Sequence, residues 1–271
     1  MDLSQIKSKL SSLQTRQTGP KNDLAKIIWK PSVGKHSIRM IPSMFDKTNP
    51  FKEITFHYGV GAKTMISLQN FGEKDPIVEF ANELRKASDQ DSRDLAKKLS
   101  PKMRVFTPIV VRGEEDKGVR LWEFGKEVYM ELLSIAEDED VQDYTDPVTG
   151  RDLTVDTVGP DQSGRSFNKT TVRVRTKTTP LSENSQEVQK WMTEQPEPLS
   201  LFKKHSYEEM KSALLSWLNP DEATAETAKP EAEVAAPKTS YSLDVKAKKA
   251  DIDSDFAALF GEAPNSEGAP F

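Results

Sequence analysis

Cysteine is absent from all 271 residues. That excludes disulfides, thiolate nucleophiles and any metal site closed by thiolates. No apolar run approaches the roughly 20 residues needed to cross a membrane. The opening MDLSQIKSKL also lacks the apolar stretch of a secretory signal, so a soluble, intracellular chain is expected. His36, His57 and His205 lie without the spacing of a metal site or a catalytic triad, and no glycine-rich phosphate loop occurs. Neither a cofactor nor a metal is expected. Positive charge is scarce overall, with a net charge of −5, but the deficit is local. Residues 221–271 carry eleven acidic and five basic side chains, a net of −6, which leaves residues 1–220 at +1.

What is present divides the chain in three. In residues 1–20, Leu3, Ile6, Leu10 and Leu13 recur at helical spacing until Thr18-Gly19-Pro20 breaks the pattern. This reads as a short amphipathic arm, or as a helix packed on the core. Residues 21–219 carry the apolar periodicity of a core. Strands are expected across IIWKPSVGKHSIRMIPSMF, PFKEITFHYGV, RVFTPIVVR, VRLWEF, DLTVDTV and TTVRVRTKT. Pro108 is expected at a sheet edge or bulge, because proline cannot donate to a ladder. Helices are expected over residues 76–100, in GKEVYMELLSIAEDED, and near SQEVQKWMTE and SYEEMKSALLSWL. Beyond Asn219-Pro220 the composition turns to Ala, Glu, Lys, Pro and Thr, too apolar-poor to offset ordering entropy. The expected class is α+β with a mainly β core: a small curved barrel with inserted helices, flanked by the arm and a disordered acidic tail over residues 220–271.

Gly164–Thr179 holds Arg165, Lys169, Arg173, Arg175 and Lys177 and no acid. In a strand, alternation places Thr171, Arg173, Arg175 and Lys177 on one face, with neighbours about 6.6–6.8 Å apart, close to a nucleotide step. The plainer reading is a solvated basic face, but ordinary surface strands intersperse both signs. Aromatics stand near cations: Tyr58 before Lys63, Phe106 beside Arg104, Trp122 and Phe124 before Lys126, and Phe167 before Lys169. Stacking plus phosphate attraction is the sequence-tolerant mode of single-strand binding. Taken singly, each ring is more often core than platform. Phe167, in a loop of Ser, Gly and Asn, is the best stacking candidate. Glu137–Asp140 reads as a solvated charge run, and Asp152 with Asp156 is weak support for nuclease carboxylates.

The ordered series IIWKP, SIRMIPS, PFKEITFHYG, FTPIVV, VRLWEFGKEVY, TDPVTGRDLTV and LSLFKKHSYEEMKSAL resembles the single-stranded DNA-binding (helix-destabilising) proteins of T-even phages, over residues 27–219. The resemblance implies a five-stranded, barrel-like OB fold with inserted helices and a basic, aromatic-lined cleft. In that cleft Arg104, Phe106, Trp122 and Phe167 fall at or near aromatic-bearing positions, and Lys97, Lys98 and Lys102 near a basic run. Arg39 and Lys126 complete the DNA-binding set. It also implies self-association through the arm (Lys7, Ser8, Lys9, Ser11, Ser12). Phage replication and recombination proteins would be partners through the tail, where Asp251, Asp253, Asp255, Phe256, Leu259, Phe260 and Phe271 interleave acids with apolar anchors. The family's structural zinc uses one histidine and three cysteines. Here Asp75-Pro76-Ile77-Val78 stands where a Cys-Pro-Val-Cys run would be and His57 sits near the histidine's place, so apolar packing by Ile77, Phe80 and Leu84 is expected instead. The implied function is cooperative, sequence-independent single-stranded DNA binding in replication, recombination and repair, in the cytoplasm of an infected bacterium. An RNA-binding translational repressor and a metal-dependent nuclease are the alternatives.

Overall fold

Alternating apolar and polar residues build eight strands in the computed structural model, which describes residues 21–60 and 64–219. They are β1 (Ile28–Trp29), β2 (Gly34–Met40), β3 (Lys52–His57), β4 (Met65–Ile66), β5 (Lys102–Val111), β6 (Arg120–Phe124), β7 (Arg151–Val158) and β8 (Lys169–Thr178). Helix α1 (Lys21–Ile27) leads into β1. The strands form a mixed sheet ordered β1-β6-β5-β2-β7-β8, with β3 on β5 and β4 on β3. Only the β1–β6 pair, Ile28 opposite Leu121 and Trp29 opposite Trp122, is parallel among the pairings described. The class is therefore α+β.

The chain divides into two compact units, one holding residues up to Ile54 and Met103–Lys203, the other Thr55–Lys102 and residues from Lys204 on. In the first, Ile38, Met40, Val105, Ile109, Trp122, Leu153, Val155 and Val172 share one sheet face. Helix α4 (Lys126–Glu137) covers that face with Val128 and Leu132. On the opposite face, Trp191 of α6 (Ser185–Thr193) packs with Ile41, Val110 and Leu181.

Pro108 does not lie in an edge strand. β5 runs between β2 and β6, and Pro108 stands opposite Leu121. The β2 ladder ends at Met40 opposite Ile109, and the Pro108 carbonyl then accepts from Ile41 N at 3.2 Å. A strand residue's N and O point to the same side, so the missing N–H falls just beyond the end of the β2 ladder, where no donor is required.

In the second unit the apolar stripe over residues 76–100 makes two helices, not one. α2 (Pro76–Lys86) and α3 (Gln90–Leu99) are separated because Asp89 turns out of helix and caps α3, accepting from Ser92 N at 2.8 Å. The two helices pack on each other and share one buried cluster with Met210 and Leu214 of α7 (Tyr207–Leu218), which lies against α2. A reciprocal capping box between Ser206 and Glu209 starts α7. The connection between β7 and β8 contains one short helix, α5 (Pro160–Ser163), ended by Gly164 at φ 64°.

Candidate nucleic-acid interface

β8 has β7 as its one neighbour in the sheet order, and its outward face carries the basic row. Val172 is buried and Val174 half-buried, while Lys169, Arg173, Arg175 and Lys177 are exposed. The regular register holds Lys169–Val174 opposite Leu153–Val158, and it shifts between Leu153 and Arg151, so Arg175 and Lys177 lie at an irregularity in the ladder. Arg175 Nε reaches Thr154 Oγ1 at 3.5 Å. Within the described residues, Lys169, Arg173 and Lys177 enter no ion pair. The face is not free of acid, however: Asp156 stands opposite Thr171 on one side and Lys35 on the other, and Lys35 Nζ lies 3.9 Å from it.

The turn before β8 presents Phe167, 57% exposed, with the Arg165 guanidinium 5.6 Å from its ring centroid. Arg165 is held by Glu127 in the first turn of α4, through contacts of 2.8 and 2.9 Å. Lys126 opens the same helix and is exposed. Phe167, Arg165 and the start of α4 thus form one cluster.

Three expected contact residues are interior instead. Arg39 is fully buried: it donates to the Asp146 carbonyl at 2.7 Å and the Thr179 carbonyl at 2.8 Å, and pairs with Asp152 at 3.5 Å. Burial lowers its pKa, with the Asp152 charge opposing that effect. It clamps the strand ends and cannot reach a strand of DNA. Trp122 is 1% exposed, lying in the first unit's core against Trp29 and Phe124 at ring-centroid distances of 5.7 and 4.7 Å. Phe106, also 1% exposed, packs on Phe202 at 5.6 Å. Asp152 additionally accepts from Arg112 at 2.9 Å. A carboxylate committed to two arginines is poorly placed to hold a catalytic metal.

Phe106 closes the floor of a cavity of about 240 Å³. Pro108 and Leu121 extend the floor, and the loop from Ser43 to Lys52 and residues 195–199 make the walls. Phe45 stands 50% exposed at this cavity. Arg104, two residues before Phe106 on β5, lies 3.7 Å from Glu123, which also binds Lys30 at 2.8 Å. Sequence reading did not single out Phe45 as an exposed ring, although it sits among Ser, Asp, Thr and Asn much as Phe167 does.

Lys97, Lys98 and Lys102 are exposed in the second unit, at the end of α3 and the start of β5. That unit also holds His57, which is not near solvent. His57 is 1% exposed, its Nε2 is 3.0 Å from Asp75 Oδ2, and its Nδ1 is 3.2 Å from the Leu99 carbonyl. Asp75 is N-cap of α2. Its Oδ1 accepts from Ile77 N and Val78 N, and its Oδ2 from Leu68 N at 3.0 Å and Ser67 Oγ at 2.6 Å. Burial pushes the Asp75 carboxyl up, but the His57 hydrogen bond and charge, with those further donors, hold it below its ordinary value. This donor set does not suit zinc: there is no cysteine, and the imidazole and carboxylate that remain are spent on each other and on backbone. Nor is it a catalytic triad, because the carboxylate sits between His57 and Ser67 in the interior.

The arm residues Lys7, Ser8, Lys9, Ser11 and Ser12 and the tail residues Asp251, Asp253, Asp255, Phe256, Leu259, Phe260 and Phe271 lie outside the described residues, as does Lys63. A family model described as gp32 DNA binding protein like matches residues 32–212, more than half of the chain. No curated protein matches it.

Proposed function

Because the chain belongs to the gp32 DNA binding protein like family, we propose that it binds single-stranded DNA without reading its sequence. The observation that carries this reading is the exposed row of Lys169, Arg173, Arg175 and Lys177 on β8, next to the exposed Phe167 ring. Cations at strand spacing attract a phosphate chain, and a ring with a free face stacks on any base. In this reading the sheet is an elaborated OB fold. Residues 1–20 join neighbouring copies along the strand, and residues 220–271 hold replication and recombination proteins in an infected bacterial cell.

Anisotropy of a labelled oligo-dT, titrated with the full chain, tests the proposal. Anisotropy is preferred to intrinsic fluorescence because Trp29, Trp122 and Trp191 are buried and the fourth tryptophan, Trp217, is half-buried on α7, away from β8 in sequence. Phe167→Ala is expected to weaken binding by roughly 1–3 kcal/mol and to leave the melting temperature unchanged, because the ring is 57% exposed and stands outside the described buried clusters. A lowered melting temperature would make Phe167 a structural residue. Tighter binding to an oligoribonucleotide than to oligo-dT would favour the translational-repressor reading, since only 2′-hydroxyl contacts separate the two.

A further inference from the structure

We propose that the exposed face of α4 is the surface that receives residues 1–20 of a neighbouring copy, so that copies join head to tail. The proposal rests on the single-strand and self-association reading above and assigns to it a receiving face and a direction.

Helix α4 turns Val128 and Leu132 into the core, but Met130 is 59% and Leu133 44% exposed. At about 100° per residue, Lys126, Met130, Leu133 and Glu137 fall on one narrow stripe, spaced four, three and four residues apart. Such spacing is the seam on which two helices pack. Acid surrounds it, since Lys126–Asp140 holds six acidic residues and one basic. Glu127 is paired with Arg165, whereas Glu137, Asp138, Glu139 and Asp140 are exposed and enter no ion pair within the described residues. An apolar seam edged by uncompensated carboxylates suits a helix that is apolar on one side and basic beside it.

Residues 1–20 have that composition. Leu3, Ile6, Leu10 and Leu13 repeat at three, four and three residues, the complementary alternation, and Lys7, Lys9 and Arg16 stand against one acid, Asp2. A helix of this segment laid parallel to α4 brings Asp2 to Lys126 and Arg16 to Glu137–Asp140, whereas the reverse direction sets like charges together. Residues 221–271, with a net charge of −6, are repelled from the same face.

Donor and receiver stand at opposite ends of the sheet. Residues 1–20 lead into α1 and β1, at one end of the strand order, and α4 packs against β8, at the other. An arm leaving one end for a face at the other makes a heterologous contact, the kind that extends into an open filament instead of closing a pair. The joint then forms beside β8, the strand that carries the basic row.

Single thiols placed in this cysteine-free chain test the contact. Full-length Leu10→Cys and Leu133→Cys chains, mixed on long poly-dT and oxidised with copper phenanthroline, should give a disulfide-linked dimer containing one of each. On oligo-dT too short for two copies they should give none. A chain carrying both substitutions should link into ladders on poly-dT, and linkage confined within single chains would overturn the proposal in favour of an arm docked on its own α4. Met130→Gln with Leu133→Gln should weaken the per-copy affinity for poly-dT roughly tenfold or more. It should leave short oligo-dT binding and the melting temperature unchanged, because both side chains are exposed. Unchanged poly-dT affinity, or equal losses on both lengths, would overturn the α4 face while leaving single-strand binding intact. No binding of oligo-dT by the wild-type chain would instead overturn the function on which the proposal rests.

Discussion

Asp75→Ala should destabilise the protein by about 3–5 kcal/mol, the range for breaking a buried ion pair by removing one partner. The carboxylate organises five donors in the interior: the His57 ring, the Ser67 hydroxyl and the backbone amides of Leu68, Ile77 and Val78. Alanine leaves all five without an acceptor and removes the cap from α2 as well. Asp75→Asn should cost less, since its carbonyl can still accept from the amides. The sign of the acid dependence follows from the direction of the Asp75 shift. Its carboxyl is held below the ordinary value of about 3.9. The stabilisation is therefore present at every pH above that value and is lost as pH falls through the lower, folded-state one. Urea unfolding followed from neutral pH down through the carboxylate range should show this slope in the wild type and a flatter one in Asp75→Asn. Chelator should shift neither midpoint. Dependence of the midpoint on added zinc would show that a metal, not the His57–Asp75 cluster, holds this unit.

The other large effect is expected in salt dependence. Each phosphate neutralised on a single strand contributes about −0.7 to the slope of log K against log salt. Replacing Arg173 and Arg175 by alanine should therefore flatten that slope by about 1.4 and weaken all sequences alike. Both side chains are exposed on an edge strand, so folding should be unaffected. Arg165→Ala should flatten the slope less, because its charge is already compensated by Glu127. An unchanged slope in the double variant would remove β8 from the interface and leave the row a solvated basic face.

Arg39 and Arg173 show how far sequence reading reaches. Both lie in short alternating segments, SIRM and TVRVRT, and local pattern treats them alike. Arg39 is buried because Thr179, 140 residues later, returns to cover it, and because Asp146 and Asp152 meet it there. Among the described residues, none covers Arg173, which is exposed. The two aromatic loops make the same point. Phe167 was legible as exposed because its polar neighbours could not have buried it. The place of Phe45 at a cavity depended on residues 195–199 arriving from far along the chain to line it too.

Local chemistry by itself determined the longer strands, the helices near residues 126–137, 185–193 and 207–218, the absence of thiolate chemistry, and the basic row, since each depends on period, capping and composition over a few residues. Asp89, in Ser88-Asp89, could have marked the break between α2 and α3 on the same basis. Tertiary structure alone decided which cations and rings meet solvent, where Pro108 could enter an interior strand, and that His57 and Asp75 form one buried cluster. Those outcomes turn on which distant segment arrives at a given face, and a segment's own periodicity carries no information about what will cover it.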